Sequence, residues 1–384
     1  GLRMTQTLSP FPEHLHPSFH SPCVRGEAIR LEHAEDCVIE QNVIHEVGGD
    51  AVRLQGYTAR NHVVNNDIYH TGSAGISFAS DAEGNTHTWA DPDDLIRRAA
   101  RYPRSIENLI AHNRIHHTGA LKKNGGAIQA YGIASQDNRL AHNLIHHTAD
   151  KGIVLQDGFG RVIVEYNHLH DLALEIADTG AIVTNRWFVI EGDEQLGKGN
   201  VFRFNLIRNV VGCGAYDDPK EGKGSISSKQ GGRIWTPYYT WGIYFDNSAM
   251  YCTVYGNVIV GTVLGGVSQP VGDPKGNLFE NNILVNSNLH QADLRVGGKH
   301  SVGNRFVRNI LYYTDPQSSL MAIGSRTHRS FSECDYNLYA TPGRHEPRIV
   351  GQTGDDESVD TFREWQQLGF DTHSIIADPL FVDP

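Results

Sequence analysis

Two aspartates stand in settings suited to acid–base work. Asp178 opens the run Asp178-Thr179-Gly180-Ala181-Ile182, and Asp246 closes Trp241-Gly242-Ile243-Tyr244-Phe245-Asp246. Two carboxylates facing each other across a trough are what cleavage of a glycosidic bond requires. One gives a proton to the leaving oxygen and the other serves as base or nucleophile. Asp157 is the second choice of partner. For Asp178 the competing structural role is an Asx bond that caps a turn. Aligning the chain on the recurrent inward Ile places Gln156, Asn185 and Asp246 in one outward column. His147 and His170, with Asp171, fall near the Asp178 turn and are expected to touch substrate. Trp187, Arg233, Trp235, Tyr238, Tyr239, Trp241 and Tyr244 supply stacking faces and donors for a sugar, although loop aromatics also pack their own loops.

Histidines tell a competing story. His45, His116, His146 and His170 share one repeat position, with His70, His117 and His147 beside them. Stacked imidazoles could ligate zinc, but a solenoid repeats residues for packing, and a polar ladder needs no metal. The structural ladder is the expectation, and no metal site is assigned. No GxSxG, HExxH or phosphate-cradling glycine motif is present, and no cofactor is expected.

These residues are carried by a repeat. Asn42-Val43-Ile44-His45 returns as Asn66-Asp67-Ile68-Tyr69, Asn113-Arg114-Ile115-His116, Asn143-Leu144-Ile145-His146 and Asn167-His168-Leu169-His170, then at Asn205, Asn257, Asn282, Asn309 and Asn337. Where the chain is uninterrupted the period is about 24 to 27 residues, too short for helical-hairpin repeats. Short Val- and Ile-rich segments punctuated by Gly give about three strands per coil. The expected fold is all-β, a right-handed parallel β-helix with loop insertions and a C-terminal capping segment. Each repeating asparagine, inward at a turn, would bond the amide of the next coil, so the set is scaffold rather than site. The pairs Gly75-Ile76, Ala127-Ile128, Gly152-Ile153, Ala181-Ile182, Gly242-Ile243 and Gly266-Val267 imply inward aliphatics, with the small residues pointing out to floor a shallow trough. The helix should cover residues 1–340, with insertions near 79–105, 186–200 and 212–240, and a cap over 341–384. A short helix is expected at 91–100 and another at 358–368, the latter closing the last coil with Phe362, Trp365 and Leu368 and stopping at Gly369.

Composition narrows the partners. A net charge of −11 and the lack of a basic stripe disfavour nucleic acid. Five widely spread cysteines without a CxxC pair indicate neither zinc knuckle nor redox pair. No apolar run reaches the ~18 to 20 residues of a membrane span. The compartment is undetermined, a secreted or periplasmic one suiting a glycan substrate. The expected assembly is a monomer, or a chain with an additional N-terminal segment packed on the helix, since no cap precedes Asn42.

The Asp178-Thr-Gly-Ala-Ile-Val run and the Trp241-Gly-Ile-Tyr-Phe-Asp246 run together resemble the bacterial right-handed parallel β-helix glycosidases of glycoside hydrolase family 141. That family includes an α-L-fucosidase of pectin breakdown and a xylanase; family 120 β-xylosidases are more distant. Glu35-Asp36-Cys37-Val38-Ile39-Glu40-Gln41-Asn42, His45-Glu46-Val47-Gly48-Gly49 and Ala377-Asp378-Pro379-Leu380-Phe381 are similar too. The resemblance implies catalysis by Asp178 and Asp246 on a xylan- or pectin-type glycan. The sequence departs from the family at Asn247, where an acidic residue is common. Two other readings stay open. One is a polysaccharide lyase or uronan epimerase using Arg186, Arg233, Tyr244 or His170, with calcium as a possible partner. The other is a non-catalytic carbohydrate-binding solenoid. A further tension is distance: a straight strand would hold Asp178 and Asp246 about 20 Å apart, well beyond the ~5–9.5 Å of catalytic pairs. Either both walls lean over the trough or Asp157 is the partner.

Overall fold

A computed structural model of the chain describes residues 1–7, 26–79, 104–131, 135–156, 160–185, 199–216, 233–269, 272–341, 347–351 and 359–382. The chain is a right-handed parallel β-helix. Among the described residues its three sheets hold 12, 10 and 13 strands, so nearly every coil gives one strand to each. Strands of the first sheet follow the ladder asparagines, as in Val43–Val47, Asp67–Thr71 and Arg114–His116. Those of the second precede them, as in Val38–Glu40 and His62–Val64. The third carries the longer strands, among them Lys151–Leu155, Thr179–Asn185 and Thr240–Asp246.

A sharp corner separates the second sheet from the first. The residue before each ladder asparagine takes a left-handed conformation, as at Gln41, Asn65, His112, His142, Tyr166 and Phe204. The asparagine then turns inward. Asn66 donates from both its backbone N and its Nδ2 to Asn113 Oδ1, each at 3.0 Å, and from Nδ2 to Ile39 O at 2.9 Å. The pattern recurs up to Asn309, which donates to Asn337. A second ladder, not anticipated from sequence, stands one corner earlier. It runs Asn61, Asn108, Asn138, and again Asn277, Asn304.

Three columns of fully buried aliphatic and aromatic side chains fill the interior. Ile68, Ile115 and Ile145 come from the first sheet, Val63, Ile110 and Phe202 from the second, Ile128, Ile153 and Ile243 from the third. The small residues preceding the third column do not floor an outer trough. Ala127 and Ala181 belong to the core. A Cβ on Gly152 would lie 2.6 Å from Leu169 Cδ2, and one on Gly242 2.5 Å from Ile259 Cγ2. Strict in–out alternation begins only after the corner, so two consecutive residues face inward there, and the first must be small to clear the first sheet. The outward floor lies one residue to either side. Val154, Val183, Trp241 and Tyr244, with Val263 and Leu264, form a second apolar cluster separate from the core.

On the first sheet the histidine column is a stack. The rings of His45, Tyr69, His116, His146 and His170 follow at 4.7–5.0 Å. Burial pushes His116 and His146 down to about 4, so both are neutral near pH 7. The stack ends at Asp171, which bonds His170 at 2.7 Å.

Past the last coil a helix spans Phe362–Gln367, shorter than 358–368 because Thr361 and Glu364 form a capping box at its start. Phe362 is buried against Tyr339 and Trp365 against Phe370, whereas Leu368 faces out. The expected helix at 91–100 lies outside the described residues, as do most of the insertion near 186–200 and much of that near 212–240.

The amide ladder should be the costliest place to cut. Asn257, with no exposed surface, donates to Asn282 Oδ1 and Phe202 O and accepts twice from Asn205. We expect Asn257→Ala to lose about 3 kcal/mol or more in urea denaturation, because several buried groups lose partners at once.

Candidate active site

The outer face of the third sheet brings the two aspartates together. Strand Thr179–Asn185 pairs in register with Thr240–Asp246, Asn185 lying opposite Asp246 and Val183 opposite Tyr244. Leu155 pairs with Thr184 one coil earlier, so Gln156, Asn185 and Asp246 share a column. Asp178 precedes its strand in a left-handed conformation, its N–H donating to Tyr239 O at 2.8 Å. From there its carboxylate meets the Tyr244 hydroxyl: Oη stands 3.4 Å from Asp178 Oδ1 and 3.3 Å from Asp246 Oδ1. Two oxygens within 3.4 Å of one atom are separated by at most twice that radius, about 7 Å, which is a catalytic spacing. The tyrosine's reach along the strand closes the distance that backbone steps alone leave open.

Tyr244 is held from below. Its ring stacks on Trp241 with centroids 4.2 Å apart. Trp241, only 1% exposed, donates its indole N–H to Asp293 Oδ2 at 3.0 Å. Arg295 grips Asp293 through Nε and Nη2, both at 2.7 Å. Gly180 makes room for this arrangement, since a Cβ there would sit 3.0 Å from Tyr244 Cβ.

Electrostatics follow from the apolar floor. Burial, then the nearby Asp178 charge, pushes Asp246 up to about 6, against hydrogen bonds from Tyr244 and Asn247 and the more distant Lys151. Asn247 donates Nδ2 to Asp246 Oδ2 at 2.6 Å and so acts as an orienting donor. Asp178 is open to solvent at the mouth of the trough yet walled in by it; burial raises its pKa, and Lys151 is the largest opposing influence. The Tyr244 phenol is driven well above its ordinary range by burial and both carboxylates, and it stays protonated.

No protein-family model matches this chain, and no curated protein matches it either. The site therefore rests on its own geometry.

The other expected contacts divide. Gln156 and Asn185 are buried beside Asp246. Trp241 supports Tyr244 rather than offering an open face. Tyr239, 40% exposed, stands edge-on to Trp241 at 5.0 Å, with Tyr238 beside it at 5.9 Å. Trp235 is exposed on the ribbon formed by Gly214–Tyr216 and Arg233–Trp235, where the backbone of Arg233 lies. His147 and His170 belong to the histidine columns of the first sheet, in contact with each other and His146. Neither is among the groups that set the ionisation of Asp178 or Asp246. Asp157 and Trp187 lie outside the described residues. Sequence reasoning missed Lys151, Asp293 and Arg295. Their signal was a charged residue in an outward column that carries glycine, serine or an aliphatic in neighbouring coils.

A carboxyl raised from 3.8 to about 6 on folding favours the native state fully below pH 4, and that contribution is lost as pH rises through 6. Asp246→Asn removes the penalty. It should stabilise the protein by about 1–2 kcal/mol at pH 7, after discounting for solvent screening, and leave stability unchanged at pH 3.5. Denaturant titrations at the two pH values check both halves.

Proposed function

We propose that the protein is a glycoside hydrolase acting on a cell-wall polysaccharide or oligosaccharide of xylan or pectin type, like the β-helix glycosidases it resembles. The observation that carries this reading is the Tyr244 hydroxyl held within 3.4 Å of both Asp178 and Asp246. Convergence of two carboxyls on an apolar floor, both with raised pKa, provides a proton donor and a partner within reach of one glycosidic bond.

The chemistry assigned to the pair is ordinary. The protonated carboxyl transfers its proton to the glycosidic oxygen as the bond from C1 to that oxygen breaks. The ionised one attacks C1, or takes a proton from the water that does. An upper bound of about 7 Å between the Oδ1 atoms admits the ~5–5.5 Å of the two-step retaining reaction and the lower edge of the inverting range, ~6.5–9.5 Å, and the anomer of the first product distinguishes the two. Tyr244 can donate to whichever carboxylate is charged. Its own raised pKa argues against a tyrosinate base, and so against a lyase reaction that relies on it.

Reducing-sugar release should be assayed on xylan and pectin-derived glycans, with anomeric proton NMR of the first product. Asp178→Asn and Asp246→Asn are each expected to lower kcat at least ~10³-fold with an unchanged circular dichroism spectrum. In the wild type, kcat/KM should fall as pH rises through about 6, where Asp246 loses its proton. Full activity in either variant would sink the assignment. An absorbing unsaturated product would point to a lyase instead.

A further inference from the structure

One buried cation of the trough has no part in the reading above. Lys151 begins the strand Lys151–Leu155 and is paired with Gly126 on the coil before. The match of Ile153 with Ile182 sets Gly180 beside it on the coil after. Its column thus reads Gly126, Lys151, Gly180, with glycine on each side. Lysine is only 7% exposed, a costly place for an ammonium unless it is paired. The pairing is present: Nζ donates to Asp150 Oδ2 at 2.6 Å and to Asn124 Oδ1 at 3.1 Å. Asp150 is itself fixed, Oδ2 also accepting from Gly125 N at 3.0 Å. An ammonium has three donors, and these bonds use two.

We infer that Lys151, pinned by Asp150 and Asn124, is the positioning residue that keeps Asp178 ionised, which makes Asp178 the nucleophile or base and Asp246 the acid. The assignment of those two roles rests on the glycosidase reading; the charge relation between Lys151 and Asp178 does not. Register sets Lys151 beside Gly180, two residues from Asp178 but five strand steps from Asn185, the neighbour of Asp246. In keeping with that placement, its charge is the first influence opposing burial on Asp178 and the last of those acting on Asp246. One cation placed nearer one member of a carboxyl pair drives the two ionisations apart. The remaining groups around Asp178 do not supply this bias. Asp150 raises its pKa, Tyr244 is a donor shared with Asp246, and Lys123 in the flanking turn is taken by Glu175 at 2.7 Å. Tyr239 approaches Asp178 through its backbone carbonyl.

The test is a carboxyl-carbon NMR titration of protein labelled at aspartate, with Asp178 and Asp246 assigned through their Asn variants. Lys151→Met combined with Asp150→Asn removes the ion pair without stranding a charge, and should raise the Asp178 pKa by about one unit. Asp150→Asn alone leaves the cation and removes an anion, so it should move Asp178 the opposite way. Lys151→Arg should stay near the wild-type value. On any glycan that is turned over, the acidic limb of kcat/KM should shift with the Asp178 titration. A residue that only packs cannot give opposite signs in the two variants. Asp178 titrating unchanged in both would overturn the inference, as would a downward shift in the double variant. If the double variant fails to fold, Lys151→Gln combined with Asp150→Asn, which keeps polar partners for Asn124 and Gly125, is titrated in its place, with the same upward shift of Asp178 expected and an unchanged or lowered value overturning the inference. Should the titrations move as expected while no glycan is cleaved, the glycosidase reading fails and the charge relation stands.

Discussion

Everything in this molecule depends on a buried amide handing its protons to the next coil. Each ladder asparagine donates from both backbone and side chain to one oxygen of its successor, and closes the corner behind it by bonding a carbonyl of the preceding coil. A parallel solenoid without such a lock could slip by one residue per coil, and a slip would turn every inward aliphatic outward. A buried amide that misses its partner costs more than an apolar side chain in the wrong place. The ladder therefore fixes register, and register fixes columns. Asp246 stands beside Asn185 and Gln156 because their coils are indexed to Asn257, Asn205 and Asn167.

That dependence explains what the sequence could and could not disclose. The main ladder recurs at every coil, so the fold and the column of Asp246 were readable from spacing alone. The second ladder is interrupted where Cys37, Val162 and Cys252 replace asparagine and only their backbone N–H groups accept the bond pattern, donating to Asn61, Asn200 and Asn277. A half-occupied column does not announce itself. The small residues before the inward Ile were misassigned to the outer face because strand alternation was extended through a corner, where it fails. Backbone distance also misled: strand steps place Asp178 and Asp246 far apart, and the reach of one tyrosine brings their oxygens to a common atom. Lys151 has glycine on both neighbouring coils, and Asp293 has Ser268 and Ala322. A charge flanked in this way is a weak signal until the coils are aligned.

Burial acts in the same sense on the histidine stack and on the carboxyl pair, but the outcomes differ. Low dielectric disfavours charge, so imidazoles move down and carboxyls up, each toward neutrality. In the stack this is harmless. The rings pack face to face at 4.7–5.0 Å, and the series ends on a carboxylate that receives the last ring's bond. Repetition there resolves the electrostatic problem. At the trough two acids sit on an apolar floor without repetition, and among the described residues one cation and one phenol serve both.

The phenol can serve both only if it does not move. A tyrosine whose hydroxyl bridges two acceptors at 3.3 and 3.4 Å makes two long bonds rather than one short one. Left to rotate, it would settle on a single carboxylate. The stack on Trp241 prevents that. Trp241 is in turn fixed by the bond from its indole to Asp293, and Asp293, buried on all sides, is held by the fork of Arg295. This line of contacts crosses from the coil of Asp246 to that of Asp293 and ends at a half-exposed guanidinium. Each member is needed by the next: without Arg295 the buried carboxylate would lose two charged donors, without the carboxylate the indole would lose the acceptor it bonds, and without the indole in place the ring above would be free to choose. The symmetry of the Tyr244 position between Asp178 and Asp246 is thus set two coils away, while the difference in charge between the two acids is set on the other side by Lys151. Geometry and ionisation at the trough are controlled from opposite directions along the same helix axis.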